Sequence, residues 1–203
     1  MNTQQESKFF YETKEFEFTQ ILESNWLMIR KELEQLLQRE QKVQENKVSI
    51  NTQDFLEPSE TEQLVNEIEF IQGGFVPWHE VEIYNTGWDV FGFYGYKQKM
   101  PVNCELCPKT VSLIEQIPNL ITAGFSSLAP GTHIHPHFAS DKSYLRCHLG
   151  LIVPDNCALR VGDQTKSWKE GKCFIFDDSF EHEAWNKSDK TRIVLLIDVE
   201  RPN

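Results

Sequence analysis

The sequence predicts an α+β protein in which N-terminal helices support a β-sandwich or β-barrel formed by the C-terminal two-thirds of the chain. Two observations carry this prediction. Apolar residues recur at spacings of three and four between residues 17 and 46, as in an amphipathic helix. From residue 88 onward, short apolar runs alternate with turn residues, as in an all-β domain. We expect a single domain over residues 1–203, with a helical buttress at 1–75 and a β-core at 88–203.

The first helix is predicted over residues 17–46. Its apolar stripe is too short for a coiled coil, so we expect it to pack on the core of its own chain. The stripe consists of Phe18, Ile21, Leu22, Trp26, Ile29, Leu33, Leu36 and Leu37. The following stretch, KVSINTQDFLEPSETE, is predicted to be a linker, and Ser59 with Glu62 could cap a second short helix near residues 60–71.

The β-core is predicted from seven strand-like runs, with one further helix expected at residues 108–117. Turn residues separate several of the runs, among them Pro154-Asp155-Asn156, Gly162-Asp163 and Glu170-Gly171. The runs are ITAGFSSLA, GTHIHPHFA, YLRCHLGLIV, CALRVG, KCFIFD, EHEAWN and RIVLLIDV. This pattern predicts that the chemistry lies in the β-core and that the helices support it.

Composition excludes several functions. The 203 residues carry a formal net charge of −11, which would repel a phosphate backbone, so we do not expect nucleic-acid binding. No apolar run reaches the length of a membrane span, and the N-terminus does not resemble a secretory signal. The odd number of cysteines, five, favours reduced thiols in the cytoplasm. Cys104 and Cys107 form an isolated CxxC, and we do not expect zinc there.

The stretch GTHIHPHFA places His133, His135 and His137 at alternating positions, which share one face in a regular strand. His182 follows His137 by 45 residues, and Arg192 follows ten residues later within an apolar strand. A buried arginine needs an anionic partner, and a dicarboxylate such as 2-oxoglutarate would supply one. This spacing is typical of iron- and 2-oxoglutarate-dependent oxygenases. The residue types alone do not choose among the three alternating histidines.

The C-terminal half resembles the aspartyl/asparaginyl β-hydroxylase family. The matching stretches are PGTHIHPH, RCHLGLIVP, WKEGKCFIFDDSFEHEAWN and the R…DV…P ending, with weaker likeness in LESNWLMIRKELEQLL and NCELCPKT. The resemblance implies a double-stranded β-helix, which is a jelly-roll, cupin-like fold. It also implies a dioxygenase that hydroxylates C–H bonds with Fe(II), 2-oxoglutarate and O2.

The resemblance also implies roles for single residues. The metal ligands fall on His137 and His182, and the far carboxylate of 2-oxoglutarate falls on Arg192. The residues expected along the same co-substrate are His148, Arg146 and Ser126. Many related oxygenases have a carboxylate two residues after the first histidine. This position is Ala139 here, whereas the family commonly has glycine.

Asp178 is the candidate catalytic residue outside the metal ligands. It could hold a metal-bound water from beyond the ligand shell. The alternative is that Asp177 and Asp178 only shape a turn. We expect His133 and His135 to be strand or pocket-rim residues, His79 to lie in a loop, and Trp78 and Trp88 to pack in the core.

The expected function is hydroxylation of an unactivated carbon, with the β-carbon favoured. The expected substrate is an amino-acid-like small molecule, a carrier-tethered amino acid or a peptide, and a lipid is less favoured. Because Ala139 has no ligating atom and would leave room for a halide on the metal, a radical halogenase of the same chemistry is one alternative. A second alternative is a cupin-like metal protein that uses no 2-oxo acid, built on the pairs His135/His137 and His182/Asn186. A third is a binding domain that has lost activity.

Overall fold

A computed structural model describes residues 8–47, 73–139 and 141–202, with the side chains of residues 42–47 excepted. The expected linker and the expected helix near residues 60–71 lie outside these ranges. Three α-helices are described, α1 (Glu17–Lys47), α2 (Pro101–Leu106) and α3 (Pro108–Ile114), together with short 3₁₀ turns at Thr13–Glu15 and Val81–Ile83. The sequence predicts α1 and α3 and misses α2. Within the described ranges, no helix combines the length and the apolar character that crossing a bilayer requires.

The described strands form two antiparallel sheets. The strands are β1 (Phe10–Tyr11), β2 (Val76–Pro77), β3 (Trp88–Gly95), β4 (Gln98–Lys99), β5 (Leu120–Leu128), β6 (His133–His137), β7 (Tyr144–Ile152), β8 (Cys157–Val161), β9 (Gln164–Lys166), β10 (Cys173–Phe176), β11 (His182–Asn186) and β12 (Arg192–Glu200). The larger sheet has the order β1-β10-β7-β12-β5-β3-β2, with β4 paired to β3, and the smaller has the order β6-β11-β8-β9.

The two sheets pack face to face as a double-stranded β-helix, as the resemblance implies. One apolar cluster lies between the sheets and combines Val194 and Leu128 of the larger sheet with Ile134 and Leu159 of the smaller. Burial of apolar side chains from both inner faces is what holds such a sandwich together. The inner faces therefore enclose the interior where a site can form.

The helices cover the opposite face of the larger sheet. Leu22, Ile29 and Leu33 of α1 are fully buried in a cluster that includes Phe125 and Leu195 of the sheet. This confirms that the apolar stripe of the first helix packs on the core. All five cysteines are buried free thiols, and Cys104 and Cys107 belong to this same cluster.

Strand β12 lies at the centre of the larger sheet and reads RIVLLIDVE, an almost continuous apolar run. Its odd-numbered residues, such as Ile193 and Leu195, pack under the helices, whereas Val194 packs between the sheets. Alternation along the strand therefore places Arg192 and Asp198 on the inner face. Two charged groups buried at even positions of an apolar strand mark this face as the functional one.

Candidate functional site

His137 and His182 lie side by side across neighbouring strands of the smaller sheet. They are register partners of β6 and β11, and their ring centroids are 4.1 Å apart. The Nδ1 of His137 is 2.7 Å from the carbonyl oxygen of His135, and the Nδ1 of His182 is 3.0 Å from that of Phe180. A carbonyl oxygen only accepts hydrogen bonds, so each Nδ1 carries a hydrogen. Each Nε2 therefore keeps a lone pair for a metal.

A β-bulge separates His137 from the other two histidines of the stretch. The pairing of β11 with β6 runs from His182↔His137 to Ala184↔Ile134, so between these two pairs β6 has one residue more than β11. Residues 134 and 137 would lie on opposite faces of a regular strand. The bulge instead turns His137 to the inner face that Ile134 occupies. Alternating positions share one face only in a regular strand, and the bulge is the reason that His137 does not share the face of His133.

His133 and His135 do not join the pair. The Nε2 of His133 lies 2.8 Å from Glu183 Oε2, and the ring of His135 packs against that of His133. The amide nitrogen of Asn186 donates to the carbonyl oxygens of Leu128, Ala129 and Lys190, so its side chain holds a loop together. The cupin-like pairs His135/His137 and His182/Asn186 are thus not assembled as metal-binding pairs.

Burial keeps both inward-facing imidazoles neutral. It lowers the pKa of His137 below its ordinary value, and it lowers that of His182 to about 3, with the neighbouring His137 adding to the effect. A neutral imidazole is the form that binds a metal. In the described parts of the chain, no group of three or more His, Cys, Asp or Glu converges as a metal site. Within these parts of the chain, the histidine pair would offer two ligands to a metal, and the remaining positions would be open to water or an anion.

Asp178 faces the same interior from the turn before β11. Its side chain is fully buried, and neither carboxylate oxygen accepts a hydrogen bond within the described residues. Burial is the main cause that raises the pKa of Asp178 to about 7; the Arg146 guanidinium opposes this rise, and the nearby Asp198 and Asp177 add to it. Asp177 instead accepts from the backbone nitrogen of Ser179 and pairs with Arg201. The turn role therefore belongs to Asp177, and Asp178 is left facing the site.

Arg146 is paired with two buried carboxylates. Its Nε lies 2.7 Å from Asp198 Oδ1 and its Nη2 lies 3.0 Å from Asp198 Oδ2, a bidentate pair. Its Nη1 lies 3.4 Å from Asp178 Oδ2. Arg146 and Asp198 are register partners on β7 and β12, so the sheet itself sets this pair. The sequence analysis misses Asp198, although its even spacing from Arg192 places both residues on one face of β12.

Arg192 is buried, and no carboxylate pairs with it in the described parts of the chain. Only 1% of its surface is exposed; its Nη1 donates to the carbonyl oxygen of Ser126 at 3.2 Å, and its Nε has no partner among the described residues. The guanidinium lies over the ring of Trp168, with its Cζ 4.5 Å from the centroid. Burial lowers the pKa of Arg192 to about 9, so it remains a cation at neutral pH. A buried cation of this kind is set up to receive an anion.

His148 adds an unpaired donor beside Arg192. The indole nitrogen of Trp168 donates to His148 Nδ1 at 3.1 Å, so the hydrogen of the neutral imidazole lies on Nε2. This Nε2 is buried and unpartnered within the described residues. Burial, reinforced by Arg192, lowers the pKa of His148 well below its ordinary value. Arg192 and His148 together would satisfy the oxygens of a carboxylate. Trp168, which orients both, is a second residue that sequence analysis misses.

A cavity of about 370 Å³ opens from the histidine pair over the inner face of the larger sheet. His137, His182, Asp178, Arg146 and Ser126 line it, whereas Arg192 and His148 do not. Trp78 and Trp88 are stacked with their ring centroids 4.7 Å apart, and both line the cavity with His79. Trp88 also belongs to the core cluster between the sheets, so it serves packing and cavity wall at once. The indole nitrogen of Trp88 donates to Ser126 Oγ at 3.1 Å.

The fold and the two paired histidines define a cupin-type β-helix protein with a candidate two-histidine metal centre. More narrowly, the chain belongs to the aspartyl/asparaginyl β-hydroxylase family, whose model matches residues 23–202. This confirms the family that the motifs indicate.

Three relatives illustrate the likeness. The chain is 46% identical over 121 residues to an ornithine lipid ester-linked acyl 2-hydroxylase from Rhizobium tropici, covering 58% of this chain and 43% of that protein. It is 37% identical over 139 residues to human aspartyl/asparaginyl β-hydroxylase, covering 64% of this chain and 18% of that protein. It is 39% identical over 124 residues to human aspartate β-hydroxylase domain-containing protein 2, covering 56% and 34%. The chain therefore matches less than half the length of each relative.

Proposed function

We propose that the protein is an Fe(II)- and 2-oxoglutarate-dependent dioxygenase that hydroxylates an unactivated carbon of its substrate. The observation that carries the proposal is the His137/His182 pair, whose rings lie 4.1 Å apart and whose Nδ1 atoms each hydrogen-bond to a backbone carbonyl oxygen. The names of the relatives as hydroxylases and membership of the family support it. In this class of enzyme, bound iron activates O2 while 2-oxoglutarate supplies electrons and is converted to succinate and CO2.

The residues of the chain fit this pair of cofactors. His137 and His182 would hold the iron, since they are neutral and converge with no third ligand in the described residues. Arg192 would bind the far carboxylate of 2-oxoglutarate, because its buried charge lacks an anion. His148 would donate its Nε2 hydrogen to the same co-substrate. Ser126, whose carbonyl oxygen accepts from Arg192, keeps the guanidinium in place.

Asp178 would act on water rather than as a third ligand. Its carboxylate accepts no hydrogen bond from the described residues and faces the cavity that the two histidines line, so it would accept one from a water bound at an open metal position. Arg146 would hold the carboxylate in this direction, and Asp198 would in turn hold Arg146. The role of the two acids is to position, and the cavity walls exclude bulk water.

The test is anaerobic addition of Fe(II) and then 2-oxoglutarate, followed by the visible charge-transfer absorption that their chelate produces. Wild-type protein is expected to show the band, and His137→Ala and His182→Ala are expected to lose it. His135→Ala is the matched control, since the same ring is removed from the outer side of the same strand. A band that survives in His137→Ala and disappears in His135→Ala would overturn the ligand assignment.

Hydroxylation is separated from halogenation by the mass of the product. Ala139 provides no ligating atom, and its backbone nitrogen donates to the carbonyl oxygen of Asp178 at 2.9 Å. We propose hydroxylation because two relatives with different substrates are both named hydroxylases. One name gives aspartyl and asparaginyl residues, and the other gives a lipid acyl chain. The product is expected to gain one oxygen with and without chloride. A chlorine isotope pattern that appears only with chloride would favour the halogenase.

A further inference from the structure

Part of the cavity wall is formed by glycine residues, which present backbone instead of side chains. Gly92 of β3 and Gly124 of β5 are register partners, and both line the cavity together with Gly95. We name these three residues the glycine trough. A Cβ on Gly124 would lie 2.7 Å from the carbonyl oxygen of Phe91, so the close approach of the two strands requires glycine there. Two neighbouring strands thus expose bare backbone beside the site.

Met100 covers this bare backbone. A Cβ on Gly92 would lie 2.6 Å from Met100 Sδ, and one on Gly95 would lie 3.2 Å from Met100 Cε. The thioether therefore occupies the space that larger residues in the trough would fill. Val90 and Leu196 flank it and also line the cavity. Methionine is unbranched and flexible, so its side chain can move aside for an apolar guest more readily than a branched one.

The charges around the cavity disfavour an acidic guest. Arg146 is the sole Arg or Lys lining it within the described ranges, and this guanidinium is bound bidentately by Asp198. Three carboxyl groups line the same cavity: Asp198, Asp178 and Glu80. A carboxylate that entered would lose water and find no uncommitted cation on these walls, at a large cost in free energy. An aliphatic group meets no such penalty.

We propose that the glycine trough binds an uncharged, unbranched aliphatic portion of the substrate and that Met100 determines how much bulk this portion has. The inference deepens the proposed function and rests on it for the reaction, but the binding it describes needs neither iron nor 2-oxoglutarate. Two sources share this chemistry, a fatty acyl chain and an aliphatic amino-acid side chain. An aspartyl side chain does not share it.

The test is calorimetric titration of the protein with two neutral compounds and one acidic compound. The neutral compounds are decanamide and the N-acetyl α-amide of norleucine, and the acidic compound is the N-acetyl α-amide of aspartate. At least one neutral compound is expected to bind about tenfold more tightly than the aspartate compound. Tighter binding of decanamide assigns the trough to an acyl chain, and tighter binding of the norleucine compound assigns it to a side chain. Equal or tighter binding of the aspartate compound would overturn the inference.

Variants of Met100 test the role of the trough itself. Met100→Trp is expected to fill the trough and weaken the better neutral compound about tenfold, and Met100→Ala is expected to admit a branched analogue that the wild type excludes. Met28→Ala is the matched control, because Met28 packs on the helix side of the larger sheet. Circular dichroism establishes that each variant is folded. Folded Met100 variants that bind the neutral compounds as tightly as the control does would contradict the proposal. Binding without any hydroxylation would instead remove the proposed reaction and leave the trough standing.

Discussion

Arg146 and Arg192 are two arginines on the inner face of one sheet, and they differ in their partners. Arg146 is bound bidentately by Asp198 and lies near Asp178, so its charge is neutralised inside the protein. Arg192 is more deeply buried, and among the described residues its charge meets a carbonyl oxygen and the face of Trp168 rather than a carboxylate. Proteins keep buried charges paired. The comparison teaches that the first arginine belongs to the framework, whereas the second is complete only with a ligand.

The pKa values express the same difference. Although burial lowers the pKa of Arg146, its two carboxylates raise it above the ordinary value of an arginine. Burial without such a partner lowers that of Arg192 to about 9. Folding therefore favours the charge of Arg146 and opposes that of Arg192. Removing the guanidinium of Arg146 should therefore destabilise the ligand-free protein, whereas removing that of Arg192 should not.

The largest expected effect is the loss of stability in Arg146→Met. Two buried carboxylates would lose their cation, and breaking a buried pair from one side costs about 3–5 kcal/mol. Urea unfolding at pH 7.5 measures the loss. The loss is expected to shrink toward pH 5, because the stranded carboxyl groups then take up protons.

Arg160→Met is the matched control for that substitution. Arg160 is partly exposed and pairs with Glu181 and Glu183, so its loss is expected to cost less than about 1 kcal/mol. If Arg146→Met is no less stable than Arg160→Met, the pairing of Arg146 does not support the fold.

The second prediction removes the unpaired cation. Arg192→Met is expected to leave the ligand-free protein as stable as the wild type or more stable, because an uncompensated buried charge disappears. Its affinity for 2-oxoglutarate is expected to fall about 100-fold or more, as for a truncated buried ion pair. Arg192→Lys should also raise the apparent constant for 2-oxoglutarate more than that for the substrate, because an ammonium lacks the planar fork.

Thermal shift with 2-oxoglutarate measures both properties at once. At a ligand concentration 100 times the dissociation constant, wild-type protein gains about 2.7 kcal/mol, and the variants should gain little. A normal 2-oxoglutarate shift in Arg192→Met would remove this arginine from the co-substrate site.

The third prediction compares the neighbouring acids Asp177 and Asp178 in metal-free protein. The pKa of Asp178 is about 7 in the folded state against an ordinary 3.8, so the folded protein binds more protons between these values and loses stability as the pH rises. Asp178→Asn removes that loss, and at pH 8 it should stabilise by ~2–4 kcal/mol. The gain should vanish below about pH 4.

Asp177→Asn should do the opposite. Although burial raises the pKa of Asp177, hydrogen bonds from Arg201 and Ser179 hold it below its ordinary value. Its charged form therefore stabilises the fold, and the variant should be less stable than the wild type at pH 8. Chemical unfolding across pH 4–8 separates the two. If both variants are destabilised at pH 8, Asp178 is not an unsatisfied carboxylate.

The sequence predicts those parts of the fold that carry a periodic pattern. The helix expected at residues 17–46 is observed as Glu17–Lys47, and the seven strand-like runs all form strands. Asn156, Gly162 and Gly171, in the expected turns, have positive φ. Strands β1, β2, β4 and β9 and helix α2 are missed, since elements of two to six residues are too short to show a period. Strand β3 is also absent from the predicted runs, although the β-core is expected to begin where it begins, at residue 88.

The site is predicted less completely because its geometry depends on register. His137 is identified by resemblance, yet it faces inward because of a bulge that no residue pattern in GTHIHPHFA reveals. The Arg146–Asp198 pair arises when β7 and β12 align two residues 52 positions apart. Trp168 reaches His148 from a segment outside the predicted strands. Residue types suggest which groups can act, whereas tertiary pairing decides which of them meet.

The smallest expected effect concerns the donor beside Arg192. His148→Ala should weaken the binding of 2-oxoglutarate about tenfold, the value of one hydrogen bond to a charged group, and it should leave the affinity for the metal unchanged.

Trp168→Phe keeps a ring under the guanidinium but removes the hydrogen bond to His148 Nδ1. The imidazole hydrogen is then free to move from Nε2 to Nδ1, so only part of the population presents the donor. An intermediate loss of about twofold follows if the two tautomers are similar in energy. Calorimetric titration with 2-oxoglutarate in the presence of Mn(II) ranks the two variants. Unchanged affinity in His148→Ala would show that Arg192 alone receives the anion, and a larger loss in Trp168→Phe than in His148→Ala would show that the indole acts on Arg192 rather than through the imidazole.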